Sequence, residues 1–526
     1  MSPALPHRSP TLGRPTTARS AAAPRHGVVT AVVCLALAAV VAAMASLNVA
    51  LPDIARDTHA SQTSLLWVID AYSLAFAALL LPAGGFGDRC GRRAALIIGL
   101  LIFGGGSAIA TTATSASELI ALRAILGLGA ALVMPATLST ITSTFPDGER
   151  TRAVSIWAAV GGGAAVLGLL ASGVLLAAGS WRLIFGLNVL LAAVALIGTL
   201  RFVPESADPS APRLDLVGAL LAVVSLVALV FSVIEAPTYG WLAPRTVGGL
   251  VLACALLVAF ILWELRQGHP LLDPRVFRNR PLATGSMSIF VQFFAFFGYT
   301  FIAMQYLQLV RGDTPLLAAV QVLPLVGAMV PTSRLAPRLN NRYGTRAVCA
   351  AGLTLVAAGV AIISQLGTHT SYAVMAAGLV VLGIGMGAAQ TPATSAITEA
   401  LPPAQQGVGS ALNDLSREVG GATGVAVIGS ILTSIYSSRV DVAGLSHRIA
   451  TEVKTSYAIA SHLGGRIADH AHTAFVNGMH IALLTAAAVA LLAAAATLLM
   501  LARHQAAASP GALDSDVMAD AAMPSR

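Results

Sequence analysis

Charged residues are scarce in this chain, and lysine is nearly absent. Only 10% of the 526 residues are Asp, Glu, Lys or Arg, whereas a soluble protein carries about 25%. The single lysine, Lys454, follows Val453, so the Gly-Lys pair of a Walker-A loop is missing and we expect no ATP use by that route. The formal net charge of +8 comes from arginines that separate apolar runs. Since these arginines form no continuous basic patch, we expect no nucleic-acid partner.

Cysteine and histidine offer little for chemistry. The four cysteines are scattered along the chain, at Cys34, Cys90, Cys254 and Cys349. We therefore expect no disulfide and no metal site. His470 and His472 are two residues apart, a spacing that does not converge on one metal ion if the segment is helical. No histidine falls in the middle of an apolar run, and no Ser/His/Asp or His/Glu set is visible, which argues against an intramembrane enzyme and against a bound cofactor.

Long apolar runs are abundant, and 56% of the residues are hydrophobic. A helix of about 20 residues crosses the ~30 Å hydrocarbon core of a bilayer. Fourteen runs of this length occur, at 27–51, 64–84, 94–113, 118–141, 153–177, 181–200, 216–236, 246–264, 282–308, 315–336, 346–366, 371–394, 408–436 and 475–502. The sequence therefore predicts an all-α polytopic membrane protein with fourteen transmembrane helices.

The loops between these runs predict the orientation and the domains. An even number of spans puts both termini on one side, and the arginines concentrate in the loops of that side. The positive-inside rule then places both termini in the cytoplasm. Five regions follow: a disordered cytoplasmic tail at 1–26, an N-terminal six-helix half at 27–200, a connector with two inserted helices at 201–280, a C-terminal six-helix half at 281–502 with an outer loop at 437–474, and a cytoplasmic tail at 503–526.

The turn between the second and third runs carries the most specific motif. It reads Gly-Gly-Phe-Gly-Asp-Arg-Cys-Gly-Arg-Arg from Gly84 to Arg93, and Asp88 can cap the next helix or pair with an arginine. A second turn, at 334–346, echoes it with Asn340 in the place of Asp88 and Gly344 in the place of Gly91, as expected for an internal repeat.

The first turn resembles the loop signature of the major facilitator superfamily. The resemblance implies a 6+2+6 arrangement of the fourteen helices and a gating role for the turn, and its matching residues are Gly84, Asp88, Arg89, Gly91 and Arg92.

Two charged residues in the first half are candidates for proton coupling. Asp70 lies in the second run and Arg123 in the fourth. Charges inside a membrane normally face a cavity or a partner. Both lie about five or six residues from the predicted outer end of their runs, so we expect them to meet at one depth. The alternatives are a structural aspartate bonded to a neighbouring helix and an arginine that snorkels to the interface. Arg123 also matches the superfamily's Arg-x-x-x-Gly pattern, with Gly127, which implies assistance to proton transfer.

The thirteenth run contains the second group of charges, Asp414, Arg417 and Glu418. Together with the 84–93 turn, this run resembles the fourteen-span drug:proton antiporter branch, the EmrB/QacA-like exporters. The resemblance implies substrate binding by Asp414 and Glu418. The alternative is an ion pair between Asp414 and Arg417, which are one helical turn apart. The chain departs from the branch at Ala43, where the exporters commonly have an aspartate.

The ninth run is rich in aromatic residues. Five phenylalanines share one helical face, at Phe290, Phe293, Phe294, Phe297 and Phe301. A phenylalanine face in a membrane helix more often faces lipid, and that is the expectation here. The glutamines of the run argue that another face meets a wet cavity. We therefore include Phe297, Gln305 and, from the twelfth run, Gln390 among the candidate substrate-binding residues.

These observations predict a proton-coupled multidrug or antibiotic efflux transporter in a bacterial plasma membrane. Export, antiport and drug cargo are implied by the resemblance. The cargo is expected to be an amphipathic neutral or monocationic compound, because intramembrane acids exceed intramembrane arginines only slightly. The expected partners are the lipid bilayer and the drug, with the proton gradient as the energy source and a monomer as the working unit. The alternatives are a solute importer of the same fold and an intramembrane enzyme.

Overall fold

The computed structural model describes residues 26–207, 215–268, 270–401 and 406–507, without the side chains of 147, 148, 151, 406, 407 and 501–507. Most of the two predicted tails lies outside these ranges. Throughout the described residues the chain is helical, without strands. Its helices are α1 (His26–Thr58), α2 (Gln62–Cys90), α3 (Arg92–Ala110), α4 (Ala116–Thr144), α5 (Asp147–Ala178), α6 (Arg182–Phe202), α7 (Leu216–Tyr239), α8 (Pro244–Glu264), α9 (Arg280–Gln305), α10 (Pro315–Gln321), α11 (Leu323–Ile363), α12 (Tyr372–Glu399), α13 (Gln406–Arg439), α14 (His447–Thr455), α15 (Tyr457–His462) and α16 (Gly465–Ala507).

Within the described ranges, thirteen helical segments are long and apolar enough to cross a membrane. One of them, Pro315–Ile363, is 49 residues long, which is more than twice the length that a bilayer needs. It joins α10 to α11, and α11 is interrupted at Gly344, whose φ of +79° is not helical.

The chain reverses at Gly344, and the packing of α12 demonstrates this. A Cβ at Gly383 of α12 would collide with Leu325, and one at Gly387 with Met329, so the first limb of α11 runs parallel to α12. In the second limb, Gly352 lies against Ala389 and Gly359 against Leu382, so that limb runs antiparallel to α12. The thirteen segments therefore contain fourteen spans, in agreement with the sequence.

The two six-helix groups pack alike. In the first group, α1 packs on α5 and α6, and in the second group α9, the corresponding first helix, packs on α13 and α16. The end of α9 lies beside the start of α2, because Gln62 and Gln305 are hydrogen-bonded. The first limb of α11, which follows α9 and α10, therefore runs back to the end at which α2 finishes, so the turns at Gly91 and Gly344 lie at the same end of the bundle. We call it the arginine-rich end, and the end at which α2 begins the opposite end.

The two groups touch each other near the opposite end. Gly173 of α5 lies against Leu316 of α10, and Gly429 of α13 lies against Leu66 of α2. Across the same junction, the Gln62 amide donates to the Gln305 side chain at 2.9 Å, between α2 and α9. The bundle is therefore sealed at that end.

The inserted helices α7 and α8 pack on each other, and α7 also packs on both α2 and α13. It thus covers the seam between the two groups. The segment predicted as an outer loop, 437–474, has more structure than expected, because it holds α14, α15 and the first turns of α16.

Candidate functional site

A close contact between α2 and α4 builds the first part of the site. Gly127 of α4 faces α2, and a Cβ at this position would collide with the Tyr72 carbonyl. Arg123 lies one turn before Gly127, so the same approach brings its guanidinium onto the Tyr72 ring, 4.2 Å from the ring centroid. A guanidinium over an aromatic face is stabilised by the ring quadrupole, more strongly where water is excluded.

Backbone carbonyls hold Arg123 in place. Its Nε donates to the Val68 carbonyl at 2.9 Å, and its Nη1 donates to the Ala43 carbonyl at 3.3 Å. The Tyr72 hydroxyl donates to the Val40 carbonyl at 2.8 Å, so α1 also supports the cluster. Arg123 is only 1% exposed and therefore does not snorkel, while its Nη2 has no partner among the described residues.

Asp70 does not meet Arg123, contrary to the expectation from depth. Val68 and Tyr72, which contact Arg123, are four residues apart and share a face of α2. Asp70 lies midway between them in sequence, so it projects from the other side of the helix. Asp70 is fully buried, and neither carboxylate oxygen has a hydrogen-bond partner in the part of the chain that the structure describes. Asp70 and Arg123 needed equal depth in order to pair, but they do not pair because Asp70 projects from the side of α2 that faces away from Arg123.

The charges of α13 lie across from this cluster. Arg417 Nη1 is 3.7 Å from Asp414 Oδ1, which is the pairing expected from their spacing, and the Arg417 guanidinium lies 4.8 Å from the Phe293 ring centroid. Glu418 is 3% exposed, and its Oε2 lacks a partner among the described residues. Its carboxylate is close enough to Tyr72 for an electrostatic interaction.

Four of the five phenylalanines on this face of α9 are buried against protein and Phe290 is half-buried, so the expectation of a lipid-facing stripe is wrong. Phe293, Phe294, Phe297 and Phe301 are all at most 9% exposed. The reason is a set of glycines on α13, which lets the two helices come together. A Cβ at Gly424 would collide with the Phe294 backbone, and Gly421 lies against the Phe297 ring. The helical spacing of the phenylalanines correctly predicted that they share one face of α9, but it could not predict that α13 packs on this face.

The two candidate glutamines have different positions. Gln305 is fully buried; it accepts from Gln62 and donates to the Phe301 carbonyl, so it belongs to the seal at the opposite end and does not line a wet cavity. Gln390 is half-buried in α12. Of the two, Gln390 alone remains a candidate for contact with a solute.

The turn between α2 and α3 is held by an ion pair and by a residue that the sequence analysis missed. Asp88 pairs with Arg92 at 2.9 Å, so it does not cap α3. Gly91 has a φ of +112° and lies against the Glu205 carboxylate. Glu205 also accepts from the Arg93 backbone N–H at 3.3 Å and so ties the start of α3 to the segment that follows α6. Gly84 packs near Pro135 of α4, and Arg89 is exposed.

The histidines of the 437–474 segment make protein contacts. His472 Nδ1 is 2.8 Å from the Tyr457 hydroxyl, and His470 is 3.4 Å from Asp441. In the residues that the structure describes, no three His, Cys, Asp or Glu side chains group as metal ligands would.

A further carboxylate near the seam was also missed. Glu235 of α7 accepts from the Trp67 indole at 2.9 Å. The sequence contained a signal for this residue, because Glu235 is an acid inside the apolar run 216–236.

The site therefore consists of two charged clusters on different helix groups: the first is buried, and in the second Glu418 is buried while Asp414 and Arg417 are half-buried. Arg123 and Tyr72 belong to the first group, and Asp414, Arg417 and Glu418 belong to the second. Phe293 of α9 lines the second cluster, and the Phe297 ring lies beside it, 6.0 Å from the Phe293 ring between centroids. Relative motion of the groups would change the field that one cluster exerts on the other, which is the requirement for linking charge transfer to conformational change.

Comparisons with characterised proteins agree with this architecture. The chain is 33% identical over 477 residues to the multidrug efflux pump LfrA of Mycolicibacterium smegmatis, covering 89% of this chain and 94% of that protein. It is 36% identical over 391 residues to the puromycin resistance protein pur8 of Streptomyces alboniger, covering 73% of this chain and 78% of that one. It is 34% identical to the multidrug resistance protein Stp of Mycobacterium tuberculosis, covering 75% and 73% of the two chains.

Solved structures share the fold. A bacterial homologue of the human lysosomal transporter Spinster, in an inward-facing and unoccupied conformation, superimposes with a TM-score of 0.65 at 16% identity, covering 90% of this chain and 96% of that one. The POT-family transporter PepTSo gives a TM-score of 0.63 at 15% identity, covering 92% of this chain and 99% of that one. The family model described as Major Facilitator Superfamily matches residues 33–425. The protein is thus a multi-pass membrane protein that belongs to the Major Facilitator Superfamily.

Proposed function

We propose that this chain exports amphipathic neutral or monocationic drugs or antibiotics from the bacterial cytoplasm in exchange for protons. The observation that carries the proposal is that each helix group holds its own charged cluster, while the two groups contact each other at the opposite end. Names of the similar proteins, among them a multidrug efflux pump and a puromycin resistance protein, support export of drugs.

Asp70 is the proposed proton carrier. It is fully buried with both carboxylate oxygens unpartnered among the described residues. Burying an ionised carboxylate without a partner is costly, so this environment suits the protonated acid. A different conformation that exposes Asp70 to water would favour release of the proton. Arg123 acts separately, through its contact with the Tyr72 ring.

The cargo preference follows from the walls of the second cluster. Phe293 and Phe297 offer aromatic faces, which attract cations, and Glu418 adds a carboxylate. Arg417 balances Asp414 at 3.7 Å, so the cluster has room for about one positive charge. We therefore expect monocations and neutral amphiphiles, with Gln390 as an additional polar contact.

The remaining parts of the proposal concern setting and energy. Both termini are cytoplasmic, the protein works as a monomer in the plasma membrane, and the proton gradient supplies the energy without ATP. Since the superfamily moves solutes, we propose a transporter without enzymatic activity.

The test uses everted membrane vesicles from cells that express the full chain. A fluorescent monocation such as ethidium should accumulate when a pH gradient, acidic inside, is imposed, and accumulation should stop when nigericin collapses the gradient. ATP without a gradient should have no effect. Gradient-driven movement in the opposite direction would support the importer alternative and refute export.

Asp70→Asn separates coupling from binding. This variant should lose drug-driven proton movement while downhill drug exchange continues in part. Asp469→Asn, at an exposed acid, makes the same chemical change away from the bundle core and should behave like the wild type. Normal gradient-driven export by Asp70→Asn would remove Asp70 from the mechanism and leave Glu418 as the next candidate.

A further inference from the structure

A cavity of about 810 Å³ lies at the arginine-rich end of the second helix group. Three separate segments line it: the residues that lead into α9, the turn region of α11, and the end of α12. Its charged and amide side chains are Arg278, Asn279, Arg280, Asn340, Arg346 and Glu399. The volume falls in the range of small-molecule sites, roughly 300–1,000 Å³.

The charges around this cavity are not balanced. Three arginines face one carboxylate, and neither Arg280 nor Arg346 makes a side-chain hydrogen bond or ion pair in the described part of the chain. The Arg346 Nε and the Asn340 Oδ1 are buried atoms that find no partner among these residues. Buried polar groups are normally paired, so an unpaired guanidinium nitrogen beside a cavity requires an explanation.

The positive-inside rule accounts for the number of arginines in these loops but not for this arrangement. Arg334, Arg338 and Arg342 belong to the same turn, and all three are exposed, as solvated loop arginines should be. Arg280 and Arg346 are half-buried and line the cavity from two different segments. Two cations held together in this way repel each other, and an anion between them would remove the repulsion.

We propose that this cavity binds a phosphate-type oxyanion, held by Arg280 and Arg346. A guanidinium presents its N–H groups in a fork that matches a phosphate with two parallel bonds. The anion would join the start of α9 to the α11 turn, and would so stiffen the second helix group at this end. Its source is either the headgroup of an anionic lipid or a free phosphate compound.

The experiment measures the melting temperature of the purified full chain in detergent. Phosphatidylglycerol, phosphatidylcholine or inorganic pyrophosphate is titrated in at constant ionic strength. A saturable rise in melting temperature with an anionic ligand is expected. Arg280→Gln and Arg346→Gln should each weaken the apparent affinity by at least roughly tenfold, the effect of losing a hydrogen bond to a charged group. Arg338→Gln, which removes the same charge from an exposed position, should leave the affinity unchanged.

The two sources give different results. A rise with phosphatidylglycerol alone identifies a lipid headgroup, and a rise with pyrophosphate as well identifies an open oxyanion site. A second variant, Glu399→Gln, removes the only carboxylate among the lining residues that the structure describes. Glu399 is exposed, and its loss should tighten binding several-fold. Equal weakening by all three arginine variants, or no saturable rise with either anion, would overturn the proposal.

Discussion

The Trp67 indole of α2 donates a hydrogen bond to the Glu235 carboxylate of α7 at 2.9 Å. The Trp67 ring also lies 5.6 Å from the Phe231 ring, centroid to centroid. On the other side of the seam, the exposed Trp241 indole, just beyond α7, donates to Ser434 of α13 at 2.9 Å. The inserted helices therefore touch both helix groups at the end where these groups are sealed.

If transport separates α2 from α13 at this end, α7 must stay with one of them. We expect it to stay with α2, because α7 packs on both helices but adds a half-buried hydrogen bond and a ring contact on the α2 side. On the α13 side the hydrogen bond is exposed and comes from Trp241, beyond the end of α7. Paired cysteines at 63 and 238, in a background whose four native cysteines are alanine, bridge α2 to α7 through side chains that are 3.5 Å apart in the native protein. Cysteines at 241 and 434 bridge the α7–α8 connection to α13.

Both pairs are cross-linked with the same short bifunctional methanethiosulfonate, which forms disulfide bonds that a reductant can cleave, and drug export is measured before and after. The 63–238 bridge should leave most of the export intact, and the 241–434 bridge should stop it until a reductant is added. The reverse pattern would show that α7 moves with the second group. If neither bridge reduced drug export, the seam would not open at this end.

Gly91 and Gly344 provide a matched test of the two turns. Both have positive φ, +112° and +79°, and a side chain in such a conformation costs about 1–3 kcal/mol. At Gly91 a Cβ would also collide with the Glu205 carboxylate, whereas at Gly344 the space is open. We expect Gly91→Ala to lower the melting temperature more than Gly344→Ala does, and Glu205→Ala to rescue part of the difference. Equal losses in the two single variants would show that the Glu205 contact adds nothing.

The sequence predicted what depends on length and on local chemistry. The fourteen apolar runs correspond to the fourteen spans of the structure. The similarity of the turn at Gly344 to the turn at Gly91 predicted the chain reversal inside α11. The sequence could not predict which faces of the helices contact each other, because each contact depends on the partner helix. The Phe297 face is buried only because α13 offers Gly421, and Asp70 misses Arg123 only because α4 approaches the Tyr72 side of α2.

The proposed orientation predicts which thiols a membrane-impermeant reagent can reach. Cys90 is exposed at the arginine-rich end, whereas Cys349 is buried. The reagent should label Cys90 in everted vesicles and not in intact cells, and it should miss Cys349 in both. A cysteine introduced at the exposed Ser446 should show the opposite sidedness to Cys90. Labelling of Cys90 in intact cells would invert the topology and place both termini outside.

Arg123 is expected to act through its shape as well as its charge. Its Nε and Nη1 bond two carbonyls on different helices, Val68 on α2 and Ala43 on α1, while its plane lies over Tyr72. A lysine keeps the charge, but its compact ammonium cannot reproduce the fork and the stacking together. Arg123→Lys should therefore reduce the rate of gradient-driven export by at least roughly tenfold, which is the effect of losing one hydrogen bond to a charged group. The amount of protein in the membrane should change little.

Two variants of Tyr72 show which part of the cluster matters. Tyr72→Phe keeps the ring under Arg123 and loses only the bond to the Val40 carbonyl, so export should fall by a few-fold at most. Tyr72→Leu removes the aromatic face and should approach the defect of Arg123→Lys, because the guanidinium then has no surface to replace the water that it lost on burial. Export is measured in everted vesicles at equal protein content. If Arg123→Lys exported at the normal rate, the fixed charge alone would account for this residue, and the geometry that joins α1, α2 and α4 around it would serve stability only.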